Sequence, residues 1–394
     1  MAGINRRELR QMVKSMKANE VEQHLTEALE AKDLKPTDFS LRELFEETVP
    51  DGRELVESFN PTGGGVVRLE EAGVDSSLFK NISGQILYTA MLDGYQSPVF
   101  IGDKLVRTIP TKFDGEKIPG LTQIGDQAGV VQELRDYPRA GIGSTFNETP
   151  QTTKRGMIVE VSKEAVFFDR TGQVLETARK TGEWLGVNKE KRLIDMALGV
   201  TSTWNPEGKG ALSTYSNSTG LHDFDNLANS NALENWTDFT AAQTLLDAIT
   251  DPFTGEPIII NGTAVLCTKA VAQTARYILN ATQVKVDPNA NSGTAQYVGY
   301  VDPKTLLPEG AGFQLLTNAY VASRMTAGSV NTSCWVYGDF QKAFAYMENW
   351  PLTVVQDDGG DSAFTRDVVA RYKASERGVP AVIDPRYVVF NAPA

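Results

Sequence analysis

Two cysteines and two histidines in 394 residues leave little room for metal or nucleophile chemistry. Cys267 and Cys334 stand alone in apolar surroundings (AVLCTKAV and TSCWVY), with no CxxC pairing. That is the pattern of buried free thiols in a reducing compartment, with a Cys267–Cys334 disulfide as the alternative. His24 falls in a polar helical stretch and His222 in a polar loop, so both read as solvated surface residues. Without a His/Cys cluster, a zinc site or a Ser-His-Asp triad has no ligand set to draw on. No run of about 18 apolar residues exists, which excludes a membrane-spanning helix. The start, MAGINRRELRQMVKSMK, is basic but lacks the apolar core of a secretory signal.

Positive charge is also in deficit. Lys and Arg number 38 against 50 Asp and Glu, a net charge of -12, with an isoelectric point near 4.9. A dedicated nucleic-acid binder shows a basic face, and this composition argues against one. It does not argue against a container, because an acidic wall repels packaged DNA and lets it slide. Salt screens that repulsion beyond about 10 Å at 0.1 M. The abundance of carboxylates makes any single acidic pair uninformative as a glycosidase signature. No positioned base, nucleophile or metal cluster emerges either, so the sequence does not read as an enzyme. Two near-motifs fail: Gly141-Ile-Gly143-Ser144 has no third glycine and opens no helix, and Glu207-Gly-Lys-Gly210 carries Gly210 where a phosphate loop needs Ser or Thr.

What is present is ordinary soluble composition, 41% hydrophobic with a mean hydropathy of -0.27, in a chain long enough for two or three compact units. The most patterned stretch runs from Met157 to Val200. Met157 to Val161 reads as a short strand. From Gly172 a helical period takes over: Val174, Ala178, Thr181 and Leu185 share a stripe, and Ile194, Ala197 and Leu198 resume it. Arg179, Lys180, Glu183, Lys189, Glu190 and Lys191 occupy the remaining surface. Unbroken, Gly172 to Gly199 would extend about 40 Å. Gly182, Gly186 and Asn188 weaken its middle and predict a bend near 186–188, and Gly199 predicts its end. A long half-exposed helix after a short strand is a beam, not an active site.

Around this beam the chain reads as follows. Residues 1–60 are charged and helical in period, with stripes Leu9, Met12, Val13, Met16 and Leu25, Ala28, Leu29, and a third helix through Leu41, Leu44 and Phe45 capped by Asp38 or Ser40. Arg6, Arg7, Arg10, Lys14 and Lys17 crowd the start as a solvated face. Asn60 to Gly65 is a linker, and Ser77 to Leu92, within the lead-in 61–98, is a helix or a strand pair. Residues 99–154 hold strand-like pieces around a Gly/Pro-rich middle, with a turn at Phe113, Asp114, Gly115 and Glu116. Such a hairpin cannot bury its own faces and must lie on something else. Thr201 to Asn235 is a long loop or pair of hairpins anchored by Trp204, Tyr215, Phe224 and Trp236. Then come a helix (Asp238–Ile249), a short buried strand (Ile258–Ile260), a strand (Thr263–Thr268) and a helix (Lys269–Asn280). Strands at Phe313–Leu316, Tyr320–Ala322 and Cys334–Tyr337 follow, with a turn-helix at Gly338–Phe344. The C-terminal part predicts strands at Trp350–Val355 and Phe364–Lys373, a turn at Arg377–Pro380 and a returning strand, Ala381–Phe390.

This order of elements resembles the major capsid proteins of tailed phages, the Hong Kong 97-like fold that encapsulins share. The strand, "SKEA", the aromatic pair Phe167–Phe168 and the long helix ending in "LG" resemble the family's spine. The helix, "DPFTGEPI" turn, "AVLCT" strand and helix ending "ARYILNAT" resemble its axial domain. The stretch FTRDVVARYKASERGV…VIDPR resembles the closing hairpin of its peripheral domain. The resemblance runs from about Val99 to Phe390 and implies an α+β fold. Its parts would be an N-terminal helical arm (1–60), a lead-in (61–98), a long extended β-hairpin loop (99–154) and a peripheral domain with a long spine helix (155–235). A mixed α/β axial domain (236–348) and return strands of the peripheral domain (349–394) would complete it. It implies that the loop, with Phe113, Asp114, Gly115 and Glu116 at its tip, lies over a neighbour, and that Val174, Ala178, Leu185 and Ile194 line the spine. It further implies pentamers and hexamers closing into an icosahedral shell around double-stranded DNA bound non-specifically, with a portal and scaffold or decoration proteins as partners. The place would be the virion, assembled in the bacterial host cytoplasm, with no cofactor, metal, catalytic residue or membrane. An encapsulin-type compartment around a protein cargo is the alternative. Some relatives cross-link a loop lysine to a neighbour's asparagine. Lys104, Lys112 and Lys117 lie in the corresponding loop here, but no texture identifies a partner, and they read as solvated.

Overall fold

The computed structural model describes residues 18–31, 40–48, 76–119, 146–201, 203–217, 222–251, 255–279, 314–357 and 368–393, with a few isolated positions between them. In chain order these form helices α1 (Ala18–Glu30), α2 (Leu41–Thr48), α3 (Ser76–Tyr95) and α4 (Gly102–Leu105), then strands β1 (Arg107–Pro110), β2 (Lys117–Pro119), β3 (Phe146–Glu148) and β4 (Thr153–Ser162). Helices α5 (Lys163–Phe167) and α6 (Thr171–Ala197) follow, then β5 (Thr203–Trp204), β6 (Leu212–Ser213), β7 (Leu227–Ala228), α7 (Trp236–Asp247), β8 (Ala264–Cys267) and α8 (Lys269–Leu279). The rest comprises β9 (Val284–Lys285), β10 (Tyr300–Val301), β11 (Gln314–Leu316), α9 (Ala319–Ala327), β12 (Trp335–Gly338), α10 (Phe340–Ala343), β13 (Phe344–Asp357), β14 (Val368–Val382) and β15 (Val388–Asn391), the last after a 3-10 turn at Pro385–Tyr387. The α+β class expected from the sequence is the class observed. Among the described residues no helix is long and apolar enough to cross a membrane.

The chain divides into two compact units, each assembled from three separate segments. Unit one is Met1–Pro98, Lys154–Asn188 and Trp350–Arg377; unit two is Val99–Thr153, Lys189–Asn349 and Gly378–Ala394. The expected segments are therefore regrouped. Residues 99–153 and 189–235 belong with the stretch expected to be axial. The return strands divide: most of β14 stays with unit one, while β15 joins unit two.

Unit one is organised by helix crossings. Val21, Leu25 and Leu29 of α1, Leu41 and Leu44 of α2, Ile82, Ile86, Leu87 and Met91 of α3, and Val174, Leu175, Ala178 and Leu185 of α6 form one buried cluster with Val159 and Val161 of β4 and Tyr372 of β14. Ser40 caps α2, its Oγ accepting from Glu43 N at 3.3 Å. It also donates to Asp169 Oδ1 at 2.7 Å. Asp38, the other cap expected, the Leu9 and Val13 positions, the five basic residues of the start and the 60–65 linker lie outside the described residues. Asp169 takes a left-handed conformation, φ 49°, and ends α5 in the doubly bonded helix stop, with Asp169 N to Val166 O and Arg170 N to Ala165 O. Ser77 to Leu92 is helical.

The α6 helix runs 27 residues without interruption, and its mid-helix glycines do not end it. A Cβ on Gly182 would lie 1.9 Å from the carbonyl oxygen of Met91, and one on Gly94 would lie 2.2 Å from that of Arg179. These glycines are where α3 and α6 cross backbone to backbone. Gly199 ends α6 as expected: it has φ +70°, its N–H bonds Met196 O and Val200 N bonds Asp195 O, both at 2.9 Å.

Unit two is built on a five-stranded sheet in the order β11-β8-β12-β15-β7. β12 is antiparallel to both neighbours, with Val336 opposite Leu266 and Phe390. Trp335, Tyr337, Phe239 of α7 and the apolar faces of α8 and α9 pack on it. Several expectations change here. Tyr320–Ala322 is helix, not strand, because Asn318 caps α9 through Tyr320 N and Val321 and Met325 are buried one turn apart. Ile258–Ile260 forms no ladder; Ile258 N bonds Ile249 O, and Ile260 O accepts from Gln243 Nε2 at 3.0 Å. Arg377–Pro380 is not a turn but part of β14. A Cβ on Gly378 would lie 2.6 Å from the Tyr346 ring and 2.7 Å from Met347 O, so this glycine serves close approach to β13.

His222 is buried, not solvated. It lies beside the rings of Trp204 and Phe224, at 5.7 and 5.6 Å, and meets Ser213 O at 2.8 Å. The Ser/Thr/Asn-rich segment 201–235 is pinned by asparagines. Asn226, wholly buried, accepts from Ser216 N and donates to the carbonyls of Thr214 and Pro385.

Replacing Gly182 by Ala sets a gain of about 1 kcal/mol in helix propensity against overpacking on an immovable backbone, about 1–3 kcal/mol. Gly182→Ala is expected to lower the denaturation midpoint. Gly172→Ala, with nothing within 4 Å of its added Cβ, is expected to hold or raise it. Parallel urea titrations decide; an unchanged midpoint for Gly182→Ala would refute the crossing as the reason for glycine.

Candidate assembly surfaces

β2 and β3 pair antiparallel, Lys117 opposite Glu148 and Pro119 opposite Phe146. Phe113–Glu116, expected at the loop tip, lie between β1 and β2; residues 120–129 and 137–145 of the loop lie outside the described residues. Asp114 Oδ1 accepts from Thr152 N and Oγ1 at 2.8 and 2.9 Å. Glu116 N donates to Thr149 Oγ1 at 2.8 Å, and Asn349 Nδ2 donates to the carbonyls of Thr111 and Phe113, each at 3.1 Å. Gly115, φ +91°, makes the turn that the sequence signalled. Only Phe113 of the four presents a large apolar side chain to solvent. Of the three loop lysines, Lys117 pairs with Glu148 at 3.4 Å and lies 4.1 Å over the Phe146 ring. Lys112 is exposed. Lys104 lines a cavity of about 460 Å³ with Gln314, Asp339 and Gln341.

Along α6, Val174, Ala178 and Leu185 are buried in unit one, as the stripe predicts, and Ile194 is buried in the core of unit two. The outward face carries Glu176, which Arg179 holds at 3.0 Å and Lys180 at 3.6 Å. The Arg179 hydrogen bond shifts the Glu176 carboxyl below its usual range. Trp184 stands out of this face 60% exposed. Other large apolar side chains left in solvent include Met157, Ile158, Phe168 and Val355 in unit one and Val99, Ile259 and Tyr277 in unit two. Scattered exposed apolar residues are normal, but Trp184, Ile259 (87%) and Tyr277 (82%) are large and nearly naked, the kind of surface a partner covers.

One charge expected on the helix surface is buried. Glu190, 2% exposed, accepts from the backbone N–H groups of Ile101 and Gly102, both at 2.8 Å, and from Asn318 Nδ2 at 3.2 Å. Asn318 Nδ2 also donates to Val99 O at 3.1 Å. One carboxylate thus joins α6, the start of α4 and the cap of α9. Gly102 fits because a Cβ there would lie 2.7 Å from Glu190 Oε2. Burial pushes the Glu190 carboxyl above its ordinary range, partly offset by the three donors. One helical turn later, Asp195 grips Arg324 of α9 in a two-pronged pair, 2.7 and 2.8 Å. A third buried charge, Arg386, bonds Asp384 at 2.8 Å and faces Asp251 at 3.9 Å. No periodicity marks Glu190 or Asp195 as buried, since their partners come from distant segments; Arg386 is bonded by its near neighbour Asp384 and faces the distant Asp251.

The described residues contain no group of three or more His, Cys, Asp or Glu arranged to hold a metal. Both cysteines are free and buried, and burial pushes the Cys267 thiol up to about 12, far from a reactive thiolate.

The Glu190 node yields a pH prediction. A carboxyl whose folded pKa lies above its unfolded value binds more protons when folded, so stability is full below the unfolded value and declines as pH rises through the folded one. Wild type is therefore expected to lose stability relative to Glu190→Gln as pH is raised from 4 to 7. Denaturation midpoints of the two proteins across that range test it; parallel curves would show that Glu190 does not titrate in the fold.

Comparisons with known proteins complete the picture. No curated protein matches the chain. Among solved structures, a protein of Gordonia phage Cozz shares 14% identity at a TM-score of 0.45, covering 75% of this chain and 86% of its own. One of Mycobacterium phage Bobi shares 12% at 0.45, covering 75% and 90%. A virus-like particle from Pyrococcus furiosus shares 11% at 0.39, covering 77% and 97%. These likenesses are too distant to carry an argument. The family described as phage capsid protein matches over residues 147–391, which takes in β4, the long helix and the whole five-stranded sheet. The chain belongs to the phage capsid protein family.

Proposed function

We propose that this capsid shell protein assembles as pentamers and hexamers into a closed icosahedral shell around phage double-stranded DNA. Membership of the phage capsid protein family over residues 147–391 carries the reading. Assembly takes place in the bacterial host cytoplasm and the product is the capsid of the virion. Segments 1–60 and 99–154 and the long helix are the interlocking parts. Closed symmetry multiplies modest contacts into a stable object. The net charge of -12 suits a wall that holds DNA without gripping it, and the DNA is bound non-specifically. A portal and scaffold or decoration proteins are the other partners. The protein catalyses no reaction and needs no cofactor. The compartment alternative, with a protein cargo, has no observation in its favour.

Negative-stain electron microscopy and sedimentation of the purified chain test this. Closed shells or ring-shaped capsomers are expected, and particles from infected cells should protect DNA from nuclease. A monomer or dimer under every salt and scaffold condition would overturn the shell reading, and a protein cargo in place of DNA would overturn the phage assignment.

A further inference from the structure

β4 is the end strand of its sheet, whose order is β1-β13-β14-β4. One side of it meets β14; on the other, no strand pairs with it among the described residues. Ten residues of unpaired backbone form a template for another strand unless blunted by proline, a bulge or a cover. β4 contains no proline, and Met157 and Ile158 at its middle are 44% and 59% exposed.

Its two faces differ. Val159 and Val161 point into the core of unit one, so Ile158 and Glu160, and by the same alternation Lys154, share the outer face. Lys154 lies 6.0 Å over the Trp350 ring, and Glu160 has neither hydrogen bond nor ion pair among the described residues. The strand reads positive at one end, apolar in the middle and negative at the other. Such a strand is complementary to itself run backwards.

We propose that β4 pairs antiparallel with β4 of a second copy of this chain about a two-fold axis at Met157. Strands whose outer faces lie on the same side oppose residues of like parity, and a slip of one residue would set a core-facing side chain against solvent. The register with Met157 opposite itself meets this condition. It sets Lys154 opposite Glu160 twice and Gly156 opposite Ile158 twice. Opposing side chains then stand about 4.5–5.5 Å apart at Cβ, close enough for an ion pair on the outer face. The contact is isologous, the same patch from each copy. It rests on the shell reading for its supply of copies.

The test uses the full chain. Met157→Cys is expected to form a disulfide-linked dimer on mild oxidation, because its Cβ atoms come near disulfide range and both native cysteines are buried. Adding Glu160→Lys sets like charges opposite each other and is expected to cut the cross-linked yield about tenfold. Adding Lys154→Glu as well restores the opposite pairs and the yield. Should Met157→Cys itself fold poorly, the charge reversals alone in the wild-type background decide, read as the fraction of chain in closed particles. Shells that form without the cross-link or the rescue would overturn the strand pairing and leave the shell reading intact. A cross-linked dimer from a chain that never builds shells would do the reverse.

Discussion

The contact between the backbones of α3 and α6 is the constraint on which unit one depends. At Gly182 and Gly94 the helices come so close that no side chain fits between them. Everything around the crossing follows from that approach. Ile86, Leu87 and Met91 meet Val174, Ala178 and Leu185, and α1 and α2 close over the remaining apolar surface. Residues that weaken an isolated helix thus strengthen the packed one, because tertiary contact outweighs propensity.

Unit two is held differently. Its core is a sheet, but much of the surrounding chain is irregular and polar. Buried amides and carboxylates replace the missing ladders: Asn226 closes one loop, Asn231 and Asn391 bond side chain to side chain at 2.8 Å, and Trp335 Nε1 reaches Asn231 O at 2.9 Å. Glu190 and Asp195 add charged ties from the C-terminal part of the long helix. Each such group is costly to leave unpaired in a dry interior, so the network specifies a single arrangement of loops that hydrophobic contact alone would leave loose.

Periodicity made the long helix, its strand, the helices α7 and α8, most of β12 and the second half of β13 legible in the sequence. The same reasoning misread the glycines. Gly182 looked like a weak point and is a crossing; Gly378 looked like a turn and lies within a strand. A glycine signals either freedom or proximity, and only the partner distinguishes them. Tyr320–Ala322 misled because a β-branched residue between an aromatic and an alanine suits a strand, while the deciding feature was the cap at Asn318. Glu190 and His222 were placed in solvent because helical charges and polar loops usually are. Their burial depends on Ile101, Asn318 and Trp204, which lie far from their partners in sequence, and for His222 also on Phe224 two residues on. The Phe113–Glu116 turn was visible, but the bonds that fix it come from Thr149, Thr152 and Asn349.

The position of β15 bears on the order of events at the ribosome. It lies between β12 and β7, more than 45 residues beyond the other strands of its sheet in the chain. Domains fold as units while synthesis proceeds from the N-terminus, and this sheet lacks an inner strand until residues 388–391 emerge. Before then β7 has no partner in the sheet, and one edge of β12 stays open. A nascent or truncated chain therefore withholds the finished surface of unit two, and only subunits translated past that strand present it to one another.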